Sequence, residues 1–445
     1  MALDTATGRL AELLTQLIRN ACVNQGNDRD DDGEERRNAE LLASLLPAGA
    51  VELVNPDGQP QRTSLVARLD GSDPDAPTLL LIGHTDVVPV NPAGWRHDPF
   101  GGELIDGEIW GRGAVDMLNQ TAAMALTFAD VAAGPDRLRG TLILAAVADE
   151  ECGGTYGTAH LLRHRPELLR CDVALTEPGG AVTRTAHGPV VGIAAGEKGT
   201  APTRIVVRGR AGPASTVPAA DNALVTAAEV IRRLAAARPA THIGPVWRDW
   251  VAATVEDHEL RARLLDPHHL WDDLDRLPDQ HRTFAHAATH TTYTPTRLDG
   301  GGWGQLLPDR VTVGVDVRIV WGETSHDVES FLDQLLADLP VTVSIPHSTE
   351  ANRSDPDHPI WAAIGHAVRR AHPGGRVAPT LFTGATDGKH LRALGVPAFG
   401  FGVLSAHLEP ATYWSRFHGN DERIDLESLR LSVAAWHQVV RDFLG

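Results

Sequence analysis

Compact apolar runs alternate with amphipathic stretches through the first part of the chain. Leu65–Leu69, Thr78–Ile82, Thr141–Ala148 and Val173–Thr176 predict strands, and Ala6–Asn20, Gln120–Ala132 and Tyr156–Leu162 predict helices. This alternation predicts a parallel or mixed sheet with helices on its faces. In the middle of the chain, Arg204–Arg208, Val311–Val320 and Val341–Ile345 predict strands, with helices over Asn222–Ala236 and Val328–Leu336. That β-α-β-α-β set has the makeup of a small α+β domain. Between its halves lies His242–Gly302, rich in His, Thr, Asp and Arg, with one helix expected near Trp250–Leu265. Strand–helix alternation resumes near Ile360 and ends in a helix over Leu426–Phe443. The small domain is therefore expected to be inserted into a larger one: residues 1–199 and 351–445 form the first domain and 200–350 the second, with 242–302 as its elaboration.

Composition narrows the classes. The chain has 445 residues, with 40 Lys+Arg against 58 Asp+Glu and a formal net charge of −18. That length suits two or three domains. The acidic balance argues against nucleic acid or an anionic membrane as the partner. Three cysteines, Cys22, Cys152 and Cys171, suit a reducing cytoplasm better than a disulfide framework. The N-terminal stretch lacks an apolar signal core, and no apolar run approaches the ~18–20 residues of a membrane span. Asp28–Gly33 starts like a calcium EF-hand loop, but the twelfth position is Ala39 rather than a bidentate Glu, so a solvated acidic loop is expected.

Chemistry-bearing residues gather at the ends of the predicted strands, the edge where open α/β sheets bind ligands. The segments are Leu80–Asp86, Trp110–Met117, Ala148–Gly154 and Leu175–Pro178, with Phe417–Glu422 near the C-terminus. Histidine with several carboxylates is a borderline-hard ligand set that suits zinc, manganese or cobalt. A metal pair ~3.5–4 Å apart needs a bridging carboxylate with a His and a carboxylate on each side. Asp86, two residues after His84, is placed to fix its tautomer. Of the consecutive acids Glu150 and Glu151, one can ligate while the other takes a proton from water. Each segment alone has a blander explanation, since adjacent glutamates usually open a solvated helix and Gly-Arg-Gly is a common turn. Five in this order do not.

The motifs GHTDVVPV (Gly83–Val90), GWRHDPFGG, GEIWGRGAVDM, ADEECGG, LTEPGG, GEKG (Gly196–Gly199), GATD (Gly384–Asp387) and HGNDE resemble the co-catalytic zinc peptidase and amidohydrolase family. That family includes aminoacylase, carboxypeptidase G, succinyl-diaminopimelate desuccinylase and vacuolar carboxypeptidase S. The resemblance implies a three-layer αβα catalytic domain of zinc-exopeptidase type with an inserted ferredoxin-like α+β lid. It implies that His84, Asp116 and Glu177 hold one divalent metal ion, and that Asp116, Glu151 and His418 hold the second. Zn2+ is expected, with Co2+ or Mn2+ as alternatives. Glu150 would be the general base, Asp86 the residue that orients His84, and the Asp116–Met117 peptide would be cis. Arg318, Gln305 and Thr386 would bind the substrate, with Arg318 gripping its carboxylate.

The expected activity is hydrolysis of an amide bond, in a dipeptide or an N-acyl amino acid, beside a free carboxylate and with water activated by two metals. A homodimer through the lid is implied, while the long insertion leaves a monomer open. An aminopeptidase would share the metal site, but the Arg318 cation argues against it. Three departures from the family pattern bear on function. Pro213 stands where many relatives place an oxyanion-stabilising lid histidine, and proline has no side-chain donor. His286 or His290 in the insertion is one potential substitute. Gln305 replaces the usual Asn, and Leu118-Asn119 replaces Lys-Gly. The Pro213 departure keeps a second reading open: a catalytically weakened member that acts as a binding or specialised pathway protein.

Overall fold

Alternate residues of the central strands feed two different apolar cores. Along Thr78–His84, Leu79 and Leu81 join one cluster while Leu80 and Ile82 join another. The neighbouring strand Thr141–Val147 splits the same way, with Leu142, Leu144 and Ala146 on one face and Ile143, Ala145 and Val147 on the other. Side chains on a strand alternate between faces, so a strand covered on both sides reads as an unbroken apolar run. Helices Thr5–Arg19, Leu118–Ala133, Ile360–Ala371 and Leu426–Leu444 cover the first face, contributing Leu10, Leu14, Phe128, Ile364, Val368, Trp436 and Val439. Leu161 of Thr158–His164 and Leu391 of Gly388–Arg392 belong to the second cluster. The result is a helix–sheet–helix sandwich.

The computed structural model describes residues 4–26, 34–216, 218, 221–275, 277, 279–300 and 304–445. The acidic run Asp28–Gly33 lies outside the described residues. The chain divides into two compact units, Met1–Ala195 with Arg353–Thr380 and Thr386–Gly445, and Gly196–Asn352 with Leu381–Ala385. In the first unit the strand order is Val51–Val54, Ser64–Leu69, Thr141–Val147, Thr78–His84, Val173–Thr176, Ala398–Gly400. Thr78–His84 runs parallel to both neighbours, with Gly83 opposite Ala146 and Leu81 opposite Leu175. Three parallel strands thus end together at one edge of the sheet. Among the described residues no helix is long and apolar enough to cross a membrane.

In the second unit, Arg310–Ile319 is central and pairs antiparallel with Gly199–Thr200, Thr203–Arg208 and Thr292–Asp299. Val311, Val313, Val315 and Val317 alternate onto a buried face with Ile205 and Val207. Helices Ala223–Ala235 and Ser325–Leu335 add Val230, Leu234, Val328 and Leu332 to that core. Thr324 starts the latter helix with a capping box: its side chain accepts from the Asp327 amide, and Asp327 accepts from the Thr324 amide.

The insertion departs from expectation in two ways. The single helix expected near Trp250–Leu265 is two, Pro245–Thr254 and His258–Leu264, because Asp257 accepts from the Leu260 amide at 2.8 Å and caps a new start. With Leu270–Leu274 and Asp279–Thr289 these helices enclose a separate apolar cluster around Trp247, Trp250 and Val251. Thr292–Asp299, read as elaboration, is a strand. It carries Pro295 and charged residues, and a bulge between Pro295 and Arg297 accommodates them.

His290 ends this helical cluster as a buried, saturated residue. Its Nε2 meets Thr241 Oγ1 at 2.9 Å, and its Nδ1 meets Thr289 Oγ1 at 3.0 Å and the His286 carbonyl at 3.1 Å. His286 stacks on His290 and packs edge-on to Trp271. Burial pushes the His290 imidazole down to about 3 from its ordinary 6.5. Between those values the unfolded chain binds the extra proton, so stability rises with pH across the window and is lost as pH falls through it. His290→Gln should therefore reduce the loss of urea midpoint between about pH 7 and pH 4 relative to the parent protein.

Candidate metal centre

The shared sheet edge gathers the acids and histidines. His84 is the last residue of Thr78–His84, Glu150 and Glu151 follow Thr141–Val147, and Glu177 follows Val173–Thr176. Asp116 comes from the turn before Leu118–Ala133 and His418 from the loop after Pro410–Arg416. The 334-residue separation between His84 and His418 is closed by strand pairing together with side-chain fastening of the His418 loop.

Two groups of ligand-type atoms result, His84/Asp116/Glu177 and Asp116/Glu151/His418, and they share Asp116. His84 Nε2 lies 3.1 Å from Asp116 Oδ1 and 3.3 Å from Glu177 Oε1. His418 Nε2 lies 3.2 Å from Asp116 Oδ2 and 3.1 Å from Glu151 Oε2. Each oxygen of Asp116 thus serves one group. The Asp116–Met117 peptide is cis, as is Glu177–Pro178.

The donor set fits divalent metal. Atoms bound ~2.0–2.1 Å from a tetrahedral ion sit roughly 3.3 Å from one another, close to the separations present. His84 Nδ1 is 2.9 Å from the Asp86 carbonyl, which only accepts, so Nδ1 carries the proton. In the neutral ring Nε2 is then a bare lone pair facing two carboxylates, an arrangement that calls for a cation. Glu151 Oε1 and Glu177 Oε2 are buried without a hydrogen-bond partner, and buried carboxylate oxygens are rarely left so.

Electrostatics reflect the crowding of acids. Burial, reinforced by Asp116, raises Glu151 to about 7 and Glu177 to about 8. Glu150 is raised well above the usual range, first by burial and then by the Asp387, Glu177 and Glu151 carboxylates, against the opposing pull of His84. Hydrogen bonds to Asp116 and Glu151 lift His418 to about 10. His84 is raised despite complete burial because Glu177, Asp116 and Glu150 surround it. The acids need positive charge, and in the protein alone the two imidazoles supply it.

Asp86 acts differently from the sequence-based expectation. Its main-chain carbonyl makes the close contact to His84, while its carboxylate is 3.6 Å from the ring. That carboxylate accepts from the Glu150 amide at 3.2 Å and the Glu151 amide at 3.1 Å, holding the turn that carries both glutamates. Asp149, at φ +65°, bends the chain there, and Asp is one of the residues that tolerate the left-handed region.

Support that was not foreseen comes from the N-terminal segment. Asn24 Nδ2 donates to Asp86 Oδ2 at 2.9 Å and to Asp149 Oδ1 at 3.0 Å, so one neutral amide separates two acids. Buried Arg62 donates to Asn24 Oδ1 and to Glu35 Oε1, and Glu35 in turn accepts from the Asp149 amide. Nothing in the local sequence around Asn24, Glu35 or Arg62 marks them, because their partners lie far along the chain.

The proposed substrate residues fall in both units. Thr386, in the first, is buried, with Oγ1 accepting from the Gly388 amide. Arg318 and Gln305 are in the second. Arg318 lies opposite Thr200 and Thr292, and its Nε donates to Asp316 at 3.0 Å. Gln305 is exposed and its carbonyl accepts from the Ala214 amide. Pro213 pairs with Leu306 in a short two-stranded ribbon, which places the proline departure beside the Gln305 departure.

Residues 80–442 match the profile of peptidase family M20/M25/M40. The chain belongs to that family. It is 37% identical over 384 residues to a succinyl-diaminopimelate desuccinylase of Acidiphilium cryptum, covering 85% of each chain. It is 28% identical over 353 residues to aminoacylase-1 of Mus musculus, covering 75% of this chain and 74% of that one. An M20 family metallo-carboxypeptidase from Sulfolobus solfataricus shares the fold, with a TM-score of 0.71, 17% identity and 99% coverage of both chains. The protein is thus a family hydrolase of the peptidase and amidohydrolase kind.

Replacing the Asn24 amide exposes two buried acids to each other. Asn24→Leu should destabilise the protein by about 1.5–3 kcal/mol, the range for a lost bond to a charged group. Urea denaturation measures this, and turnover should fall together with stability because the Glu150–Glu151 turn loses its brace.

Proposed function

We propose that the protein is a dinuclear metal-dependent hydrolase that cleaves a peptide or N-acyl amino acid at an amide bond beside a free carboxylate. The observation that carries this reading is the pair of ligand groups sharing Asp116, with Glu150 next to them and belonging to neither. His84, Asp116 and Glu177 would hold one ion and Asp116, Glu151 and His418 the other. The mixed imidazole–carboxylate set suits Zn2+, with Co2+ or Mn2+ as alternatives. Such ions supply an acidified water and polarise the scissile carbonyl.

In this reading the protein's own groups manage protons and position. Glu150 takes a proton from the attacking water as the new C–O bond forms. It then delivers that proton to the departing nitrogen as the C–N bond breaks, leaving a carboxylate and an amine. Burial keeps its proton affinity high, which suits a group that must both accept and donate. Asp86 holds Glu150 through its amide. Arg318 pairs with the substrate carboxylate, with Gln305 and Thr386 adding polar contacts. The names of the relatives, a desuccinylase, an aminoacylase and a metallo-carboxypeptidase, support amide cleavage. We also place the protein in the cytoplasm and propose that it pairs as a homodimer through the second unit. The weakened-member reading is favoured by Pro213 alone. His290, with both ring nitrogens engaged, gives no support to its serving as a substitute donor.

Glu150→Gln should retain both zinc ions by elemental analysis while losing ~10²–10⁴-fold in kcat on N-acyl amino acids or dipeptides. Full activity in this variant, or a parent protein that binds no zinc, would sink the reading. Arg318→Ala should raise KM for substrates with a free carboxylate and leave KM for the matching amides unchanged. An equal effect on both would remove Arg318 from the carboxylate subsite.

A further inference from the structure

The loop that carries His418 ends in two consecutive acids that point to different partners. Asp421 accepts from the Arg96 amide at 2.8 Å and from Arg96 Nε at 2.6 Å, and is fastened at the surface. Glu422 is fully buried. Its Oε1 accepts from the Val115 amide at 2.7 Å and from the Asp116 amide at 3.0 Å. Its Oε2 accepts from Arg112 Nη1 at 2.7 Å, and its own carbonyl accepts from the Gly111 amide at 2.9 Å. Arg112, itself buried, reaches back to the His418 carbonyl at 3.5 Å. The pairing of Arg423–Asp425 with Glu108–Trp110 brings these segments together.

We propose that Glu422 is a positioning residue that sets the Asp116 bridge and ties it to His418, so that it tunes the Asp116/Glu151/His418 site more than the His84/Asp116/Glu177 site. The chemistry requires a carboxylate. Three N–H donors, two from the main chain and one from Arg112, converge on its two oxygens. An amide of the same shape has one acceptor oxygen and one NH2 group, so either the main-chain donors or the guanidinium loses its acceptor. Asp116 would then shift relative to the loop that carries His418. The asymmetry follows from connectivity. Among the metal-type residues only His418 shares the Glu422 loop and the Arg112 contact, whereas His84 and Glu177 are held by their own strands. Groups that orient ligands commonly govern metal affinity without touching the ion.

This inference rests on the two-ion reading of the site. Its test is calorimetric titration of the metal-free full-length protein with Zn2+. The parent should show two binding events. Glu422→Gln should weaken one of them about 10–100-fold and leave the other unchanged. The weakened event is identified by a double-mutant cycle: combined with Glu151→Ala the loss should be less than additive, and combined with Glu177→Ala it should be additive. Asp421→Asn should leave both affinities at parent values.

Equal affinities in Glu422→Gln and the parent would overturn the proposal. So would equal weakening of both events with a lower melting temperature of the metal-free protein, which would mark a merely structural role. A parent that binds fewer than two ions would overturn the two-ion reading and this inference with it. Should Glu422→Gln not fold, Arg112→Lys keeps the Glu422 bonds to the main chain and should weaken the same single event, while an unchanged event overturns the proposal.

Discussion

Buried like charge is the constraint around which this protein is built. Asp86, Asp116, Glu150 and Glu177 are buried close to one another, with Glu151 beside them. A carboxylate out of water is tolerated only with donors or cations at hand. The structure supplies them in three forms: main-chain amides at Asp86 and Glu422, a neutral side-chain amide at Asn24, and the cations Arg62, Arg112, His84 and His418. Divalent metal would complete the set in the proposed working protein, offsetting the carboxylate charge that the two imidazoles balance in the protein alone.

The fold serves this need through its parallel strands. Their C-terminal ends bring His84, the Glu150–Glu151 turn and Glu177 to one edge, where each acid leaves a strand rather than the middle of a loop. Strand pairing fixes these positions rigidly because both faces of the sheet are packed. His418 arrives from a loop and depends on side-chain fastenings instead. Arg112, joining Glu422 to the His418 carbonyl, does for that loop what the sheet does for His84, Glu151 and Glu177.

Family likeness extends over most of the chain, and two features of the second unit bear on what this member does. The second unit carries a cluster of four short helices with its own aromatic core, in a segment whose sequence, rich in His, Thr, Asp and Arg, predicts only one helix. Pro213 sits in a ribbon with Leu306, a position with no side-chain donor. Both lie in the second unit, whereas the metal-type residues all belong to the first.

Much of this was legible in the sequence where the signal is local. Apolar runs gave away the buried strands, because a strand covered on both faces has no polar alternation to hide it. The short, dense segments were visible by themselves, and the family resemblance they carry singled out His84, Asp116, Glu150, Glu151, Glu177 and His418 within them. What the sequence leaves open depends on distant partners. Asn24, Glu35 and Arg62 are unremarkable residues until the fold brings Asp86 and Asp149 to them. Asp86 contacts His84 through its carbonyl because the strand ends there, and its carboxylate is thereby freed to hold the next turn. Glu422 is visible within its motif, yet its grip on the Asp116 amide exists only because two short strands, some three hundred residues apart, pair. Residue type and local spacing determine which chemistry is available, and tertiary packing decides which groups share a buried acid and which stand free to react.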